Sequence, residues 1–432
     1  MPACPALFIS APASGQGKTT ITAGLALLHR QRGRRVRVFK TGPDFLDPMI
    51  LEHASGAPVQ SLDLWMVGER ECRRLLAEAA GQADLILIEG VMGLFDGTPS
   101  SADLAATFGV PVVAVISAKS MAQTFGAIAF GLAHYRTDVT LHGVLANHVS
   151  SARHAQMLQD GMRAGQRWLG HLAPSDEIAL PARHLGLHQA AEIDQLDARI
   201  AITAQALAGT ALAELPAPVM FHPPPPRAQP RLLDGTHIAI ARDAAFSFIY
   251  SANVSLLESL GARVTFFSPL ADEPVPDDAD ALYLPGGYPE LHAATLAVNL
   301  TSAGSIRAHA AAGKPVVAEC GGMLYLLDEL TDAEGAASPM LGVLPGRATM
   351  LKRLASLGMQ ALDTKYGALT GHTFHYSSMT TPLAPERHAT RAQTGTAGEP
   401  VFRSGAIVAT YMHGYWPSNP ALAAALFHGK SF

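Results

Sequence analysis

From residue 6 to about residue 165, short apolar runs alternate with longer stretches whose apolar residues recur every three or four positions. The runs Ala6–Ala11, Val36–Thr41, Leu85–Glu89, Val112–Ser117 and Gly143–Asn147 predict strands, and Lys18–Gln31 and Met121–His134 predict helices between them. Strands so continuously apolar are buried on both faces, which argues for a parallel sheet flanked by helices. Residues 215–231 break the alternation. Pro223–Pro226 are four consecutive prolines, incompatible with a helix interior or a central strand. They predict a semi-rigid linker over 215–234. Beyond it the alternation restarts, with strands expected at His237–Arg242, Val264–Phe267, Ala281–Leu284 and Val316–Glu319 and a helix at Ser251–Leu260. The expected fold is α/β with two domains, 1–214 and 235–432, each a mostly parallel sheet flanked by helices.

Composition narrows the function classes. The chain has 432 residues, more than one ordinary core accommodates. It is 48% hydrophobic and 16% charged, so it is globular rather than disordered. A formal net charge of -5 gives no footprint for nucleic acid. Cys4, Cys72 and Cys320 are odd in number and far apart, which argues against a disulfide framework and for a reducing compartment. No apolar run approaches the roughly 18 residues needed to span a bilayer, and the first residues lack a signal-peptide pattern. A soluble, cytoplasmic protein is expected, without nucleic-acid or membrane partners. The basic residues Arg30, Arg32, Arg34, Arg35 and Arg37 fall at a predicted helix end and suit its dipole.

Residues Ile9–Thr20 (Ile-Ser-Ala-Pro-Ala-Ser-Gly-Gln-Gly-Lys-Thr-Thr) follow the first strand and open the first long helix. A phosphate-binding loop needs that context, because loop N–H groups and the helix N-terminus then face the phosphates. The expected ATP contacts are Ser14, Gly15, Gln16, Gly17, Lys18, Thr19 and Thr20. Lys18 reaches the outer phosphates, and the Thr19 hydroxyl binds Mg²⁺. Pro12 stands where the usual first glycine would be. Two acidic clusters sit at predicted strand C-termini, where ligands bind in open parallel sheets. They are Gly-Pro-Asp-Phe-Leu-Asp-Pro at 42–48, with Asp44 and Asp47, and Glu-Gly-Val-Met-Gly-Leu-Phe-Asp-Gly at 89–97, with Glu89 and Asp96. Carboxylates there suit Mg²⁺, which prefers oxygen ligands. We assign Asp44 and Glu89, with Thr19, to the metal. Asp47, Asp96, Phe45 and Leu46 are assigned to carboxylate activation or substrate contact. Asn147, at the end of its strand, is a candidate for reading an adenine edge.

A second site is centred on Cys320. The apolar run from Lys314 reaches one cysteine and then Gly321-Gly322, as a buried strand does when it turns sharply into a helix. The sulfur then lies near the positive end of the helix, which favours the nucleophilic thiolate. Upstream, Leu-Pro-Gly-Gly-Tyr-Pro-Glu at 284–290 offers the backbone N–H groups of Gly286 and Gly287 for an oxyanion, and Gly321 adds another. Downstream, an apolar run delivers His413 as a base, with His372 and His375 as competitors.

These motifs carry a resemblance. Pro-Gly-Gly-Tyr-Pro-Glu, Glu-Cys-Gly-Gly and a late strand ending in histidine resemble a class I glutamine amidotransferase domain, flavodoxin-like in fold. The N-terminal half resembles the dethiobiotin-synthetase-like P-loop domain. With the 42–48 and 89–97 motifs and Leu-Pro-Ala-Arg-His-Leu-Gly-Leu at 180–187, the chain resembles the cobyrinic or hydrogenobyrinic acid a,c-diamide synthases over nearly its whole length. The resemblance implies that Cys320 releases ammonia from L-glutamine. ATP activates two acetate carboxylates of a corrinoid in the other domain, with a monomer or homodimer as the assembly. Two departures stand out. Tyr415 occupies the place where many class I amidotransferases carry the triad glutamate, which implies a Cys–His dyad, and Thr373 stands where a glutamate is expected. Alternatives are a cobyric acid synthase-type enzyme, an amidotransferase acting on another carboxylate, and a partition-type P-loop switch. The last usually carries an extra lysine, at the place held here by Ala13. Abundant alanine and arginine lean toward the metal-free corrinoid.

Overall fold

The computed structural model describes residues 1–180 and 189–432. The 180–187 motif beyond Leu180 therefore lies outside the described residues. The chain divides into two compact units, Met1–Pro226 and Arg227–Phe432.

In the first unit the strands are β1 (Ala3–Ser10), β2 (Val36–Thr41), β3 (Gln60–Leu62), β4 (Leu85–Glu89), β5 (Val112–Ser117), β6 (Leu141–Asn147), β7 (Trp168–His171) and β8 (Pro218–Met220). The helices are α1 (Lys18–Gln31), α2 (Leu46–Ser55), α3 (Glu69–Gln82), α4 (Ser101–Phe108), α5 (Thr124–His134), α6 (Ala152–Asp160) and α7 (Leu196–Leu207). Seven strands run parallel in the order β3-β2-β4-β1-β5-β6-β7. The apolar runs are buried as their composition requires: every residue of β4 is buried. Helix α1 packs against α7 through Gly24, where an added Cβ would lie 2.5 Å from Thr203 Cγ2.

Several element boundaries differ from expectation by one to three residues, and the two three-residue shifts each follow from hydrogen bonding. Strand β1 starts at Ala3 rather than Ala6, because β8 pairs antiparallel with its first residues. That strand lies inside the segment expected to be linker. A sheet edge tolerates Pro218, since proline lacks only the donor. Helix α5 starts at Thr124 rather than Met121, because the preceding residues form turns such as Met121 N–H to Ala118 O.

In the second unit β9 (His237–Ala241), β10 (Arg263–Phe267), β11 (Ala281–Leu284) and β12 (Val316–Glu319) run parallel in the order β10-β9-β11-β12, and Ile407–Thr410 continues them. The sheet then turns antiparallel through Ala397–Ser404, Arg387–Arg391, Ser356–Thr364 and Gly367–His375, and ends on the two-residue strand His413–Gly414. The helices that matter below are α8 (Ser251–Ser259), α9 (Ala293–Val298), α10 (Leu300–Ala311) and α11 (Gly321–Leu326). Parallel β12 thus pairs with Ile407–Thr410, and antiparallel Gly367–His375 pairs with His413–Gly414 a few residues further along the same segment. That arrangement builds the thiol site.

Candidate active sites

The loop between β1 and α1 brings most of the expected ATP contacts to one cavity of about 740 Å³. Ser14, Gly15, Gly17, Lys18, Thr19 and Thr20 line it together with Asp44, Asp47, Glu89 and Asn147. Gly15 and Gly17 are both left-handed, at φ 75° and 95°. An added Cβ on Gly17 would meet Asn147 Nδ2 at 2.4 Å, so the loop needs glycine there. Lys18 is buried, and its ammonium donates to Met92 O at 2.7 Å and Ala13 O at 3.2 Å. Burial and the neighbouring Lys40 lower its pKa.

At the carboxyl ends of β2 and β4, Lys40 and Glu89 are register partners. Lys40 Nζ donates to Glu89 Oε1 at 2.9 Å and to Asp47 Oδ2 at 2.8 Å, with Asp44 Oδ2 at 3.8 Å. Burial alone would lower the Lys40 pKa, but Asp47, Glu89 and Asp44 outweigh it and hold the ammonium charged. Glu89 is fully buried, and burial pushes its carboxyl up against the pull of Lys40. The Thr19 hydroxyl donates to Glu89 Oε1 at 2.8 Å. Glu89 Oε2 is buried and has no hydrogen-bond partner among the described residues. Thr19 and Glu89 therefore offer adjacent oxygens to a divalent cation, with Asp44 and Asp47 near. No cluster of three His, Cys, Asp or Glu side chains able to cage a metal occurs among the described residues.

The remaining expected residues have other roles in the structure. Asp44 Oδ1 accepts the N–H groups of Leu46 and Asp47 and so caps α2. Leu46 is buried, and neither it nor Phe45 lines the cavity. Asp96 Oδ2 accepts the Gly93 N–H at 2.9 Å and closes its own loop, also away from the cavity lining. Gln16 faces away as well, its Oε1 accepting the Ser117 N–H. The Asn147 carboxamide donates to Gln16 O at 2.9 Å and accepts from the His148 N–H at 3.0 Å. It braces the phosphate loop while lining the same cavity. Lys40 is the residue that pattern reasoning passed over. Its signal was a lysine at the carboxyl end of a buried strand, two residues before the Gly-Pro-Asp motif.

In the second unit, Cys320 sits at the turn from β12 into α11 with φ 45° and ψ -111°, a conformation that L-residues avoid. The strain is held by close packing of four glycines. An added Cβ on Gly322 would lie 2.0 Å from Leu284 O, and one on Gly321 would lie 2.8 Å from Pro289 Cδ and 2.9 Å from Gly287 O. An added Cβ on Gly287 would lie 2.1 Å from Ala245 O. Gly286 lies between nucleophile and base: its added Cβ would be 2.3 Å from His413 Cε1 and 3.4 Å from Cys320 Cβ. The residues expected to form the thiol site are thus brought together.

The protonation state is the reverse of the expected one. Burial, then the carboxylates of Glu290, Glu399 and Glu319, push the Cys320 thiol far up, against the single favourable contribution of the Gly321 N–H. Helix α11 is only six residues long, so desolvation outweighs its dipole. Burial together with His372 and His375 holds His413 well below the usual histidine range. The resting pair is a neutral thiol beside a neutral imidazole, which leaves His413 able to accept a proton.

The competing histidines are engaged elsewhere. His372 stacks on His413 with ring centroids 5.0 Å apart, its Nδ1 2.9 Å from the Tyr250 hydroxyl, and burial pushes its pKa down to about 3. His375 faces Ser377 O at 2.9 Å through Nδ1 and Glu399 Oε1 at 3.4 Å through Nε2, and stacks on Tyr411 at 3.8 Å. Glu399 also accepts from the Thr373 hydroxyl at 3.2 Å. A glutamate from Ala397–Ser404, a strand separated from that of Thr373 by two others in the sheet, thus reaches the place where Thr373 departs from the family pattern. No sequence signal marks Glu399.

Family models match both halves. Residues 7–187 match the CobQ/CobB/MinD/ParA nucleotide binding domain, and residues 237–421 match the CobB/CobQ-like glutamine amidotransferase domain. Over 423 residues the chain is 58% identical to a hydrogenobyrinate a,c-diamide synthase of Pseudomonas aeruginosa, covering 98% of this chain and 97% of that protein. The chain belongs to the a,c-diamide synthase family. Other members include a hydrogenobyrinate a,c-diamide synthase of Stutzerimonas stutzeri, 57% identical over 98% of both chains. A cobyrinate a,c-diamide synthase of Herminiimonas arsenicoxydans is 52% identical over 98% of this chain and 96% of its own. Membership makes the protein an amidating carbon–nitrogen ligase of cobalamin biosynthesis, with a nucleotide-binding half and a glutamine amidotransferase half. Among the described residues of this synthase, no helix is long and apolar enough to cross a membrane.

Proposed function

We propose that the chain uses ATP and glutamine to convert the a and c acetate carboxylates of hydrogenobyrinic acid to amides, with cobyrinic acid as the alternative substrate. The observation that carries this reading is the pairing of two different chemistries in one chain. One unit holds a strained cysteine beside a neutral histidine, and the other holds a phosphate loop against Lys40 and Glu89.

In the thiol site, His413 takes the Cys320 proton as the sulfur attacks the side-chain amide carbon of glutamine. Backbone N–H groups among Gly286, Gly287 and Gly321 receive the developing oxyanion. The C–N bond breaks, ammonia leaves with the proton returned by His413, and water hydrolyses the thioester to glutamate. In the phosphate site, a corrinoid carboxylate oxygen attacks the γ-phosphorus of ATP and ADP leaves. Ammonia then attacks the acyl phosphate, and phosphate leaves. Lys18 and Lys40 stand where negative charge gathers in that transfer. Mg²⁺, when bound by Thr19 and Glu89 with Asp44 close by, supplies further neutralisation of phosphate charge. Residues 1–214 serve as the ATP- and corrinoid-binding domain, 215–234 as a connector and 235–432 as the glutaminase. The enzyme works in the cytoplasm on small molecules alone, as a monomer or homodimer.

The test is mass spectrometry of hydrogenobyrinic and cobyrinic acids after incubation with ATP, Mg²⁺ and glutamine. Two amides are expected on one of them, and the absence of amidation on both would refute the reading. Cys320→Ala is expected to abolish amidation from glutamine and to leave amidation from ammonia.

A further inference from the structure

Glu319 immediately precedes the nucleophile and is 4% exposed. Burying a carboxylate costs several kcal/mol unless its oxygens are well paired. Both oxygens of Glu319 are paired with donors. Oε2 accepts from the Tyr283 hydroxyl at 2.7 Å, and Oε1 accepts from the Gly414 N–H at 3.1 Å. Burial pushes the carboxyl up to about 7 despite both bonds, so this is a costly group for the fold to retain. The second bond reaches the peptide that joins His413 to Gly414.

That peptide belongs to the two-residue strand delivering the base. His413–Gly414 pairs with Gly371–His372 on one side. The Gly414 carbonyl accepts from Asn253 Nδ2 at 2.8 Å. Glu319 is the connection from this strand back to β12, whose next residue is Cys320. The main chain of Cys320 is tied to the neighbouring strand by its N–H to Thr410 O at 2.8 Å. The chain then leaves that strand before reaching His413, so strand pairing alone does not set the distance from base to sulfur.

We infer that Glu319 is a positioning residue for glutamine hydrolysis, holding the His413 peptide at a set distance from the Cys320 turn. It touches no substrate and acts through His413. The inference rests on reading Cys320 and His413 as the thiol site. It assigns a carboxylate to the base from the residue before the nucleophile, whereas Tyr415 occupies the usual place after the histidine.

Two conservative substitutions separate reach from charge. Glu319→Asp keeps the charge but withdraws the carboxylate from Gly414 by about one methylene. Glu319→Gln keeps the reach and one acceptor oxygen but removes the charge. A 1 Å misplacement of a catalytic group can cost on the order of 10²-fold. The expected result is a fall of about 10- to 100-fold in glutaminase kcat for Glu319→Asp, with KM for glutamine within about threefold. For Glu319→Gln, kcat should stay within about threefold of the parent. Ammonia-dependent amidation should be unaffected in both. A normal kcat in Glu319→Asp, or a larger loss in Glu319→Gln than in Glu319→Asp, would overturn the inference. Cys320→Ala, run alongside, separates the two levels. If it retains glutaminase, the thiol-site reading itself fails. If it is inactive and Glu319→Asp is normal, only the positioning role fails.

Discussion

Gly286→Ala isolates the geometry between nucleophile and base. The backbone at Gly286 is outside the left-handed region, so alanine adds no backbone strain there. Its Cβ would sit 2.3 Å from His413 Cε1 and 3.0 Å from His413 Nδ1. Carbon atoms pack at about 3.5–4.0 Å, so the imidazole must retreat by about 1.2 Å or more. Cys320 Cβ, at 3.4 Å, is already near contact distance and need hardly move. Overpacking of this kind costs about 1–3 kcal/mol of stability, which leaves an ordinary domain folded. A 1 Å displacement of the base is expected to cost on the order of 10² in rate, or about 2.7 kcal/mol of barrier. The assay is the initial rate of glutamate release, together with the thioester burst in a single turnover. Amidation from ammonia serves as the internal control. The expected outcome is a glutaminase kcat lower by about two orders of magnitude, with ammonia-dependent turnover intact. A glutaminase rate within about threefold of the parent would refute the placement of His413 against Gly286. Gly287→Ala provides the contrast. Its φ is 154° and its Cβ would lie 2.1 Å from the Ala245 carbonyl, so it should disrupt the backbone and lower the melting temperature as well.

Other consequences follow from single contacts. His413→Ala should slow thioester formation by a factor on the order of 10²–10⁴, and an unchanged rate would move the base to His372 or His375. Lys40→Met strands Glu89 and Asp47 without their cation, and should destabilise the chain by about 3–5 kcal/mol in urea unfolding and stop amidation from either nitrogen source. Gly17→Ala strains a φ of 95° and drives a Cβ to 2.4 Å from Asn147 Nδ2, so the KM for ATP should rise by about tenfold or more in a coupled assay. The Glu319 carboxyl is raised from 4.5 to about 7 on folding. A raised carboxyl stabilises the fold below its unfolded pKa, and that contribution is lost as pH rises through the folded value. Relative to Glu319→Gln, the parent should therefore lose about 3 kcal/mol of stability between pH 4.5 and pH 8, and parallel pH profiles would contradict the burial of an ionisable group there.

The chain's own order determined a good deal. Buried parallel strands are short, apolar on both faces and bounded by turns, so β2, β4, β5, β11 and β12 stand at their expected residues. The phosphate loop, the Cys320 turn and the glycine pairs were legible because their chemistry is local: a strand, a tight turn and a helix start lie within a dozen residues. Contacts between distant segments were decided only by the tertiary structure. The pairing of β8 with β1, the bond from Glu319 to Gly414 and the approach of Glu399 to Thr373 join residues far apart in sequence or on different strands. The antiparallel extension between residues 356 and 404 left no strong periodic signal, because its strands carry scattered buried positions. Electrostatics belonged wholly to the folded state. A cysteine at a helix start reads as a thiolate from sequence, yet desolvation and three neighbouring carboxylates reverse the sign. A pKa depends on what surrounds a group in space, and part of those surroundings, Glu399 for Cys320 and Glu89 for Lys40, comes from strands that only the fold brings together.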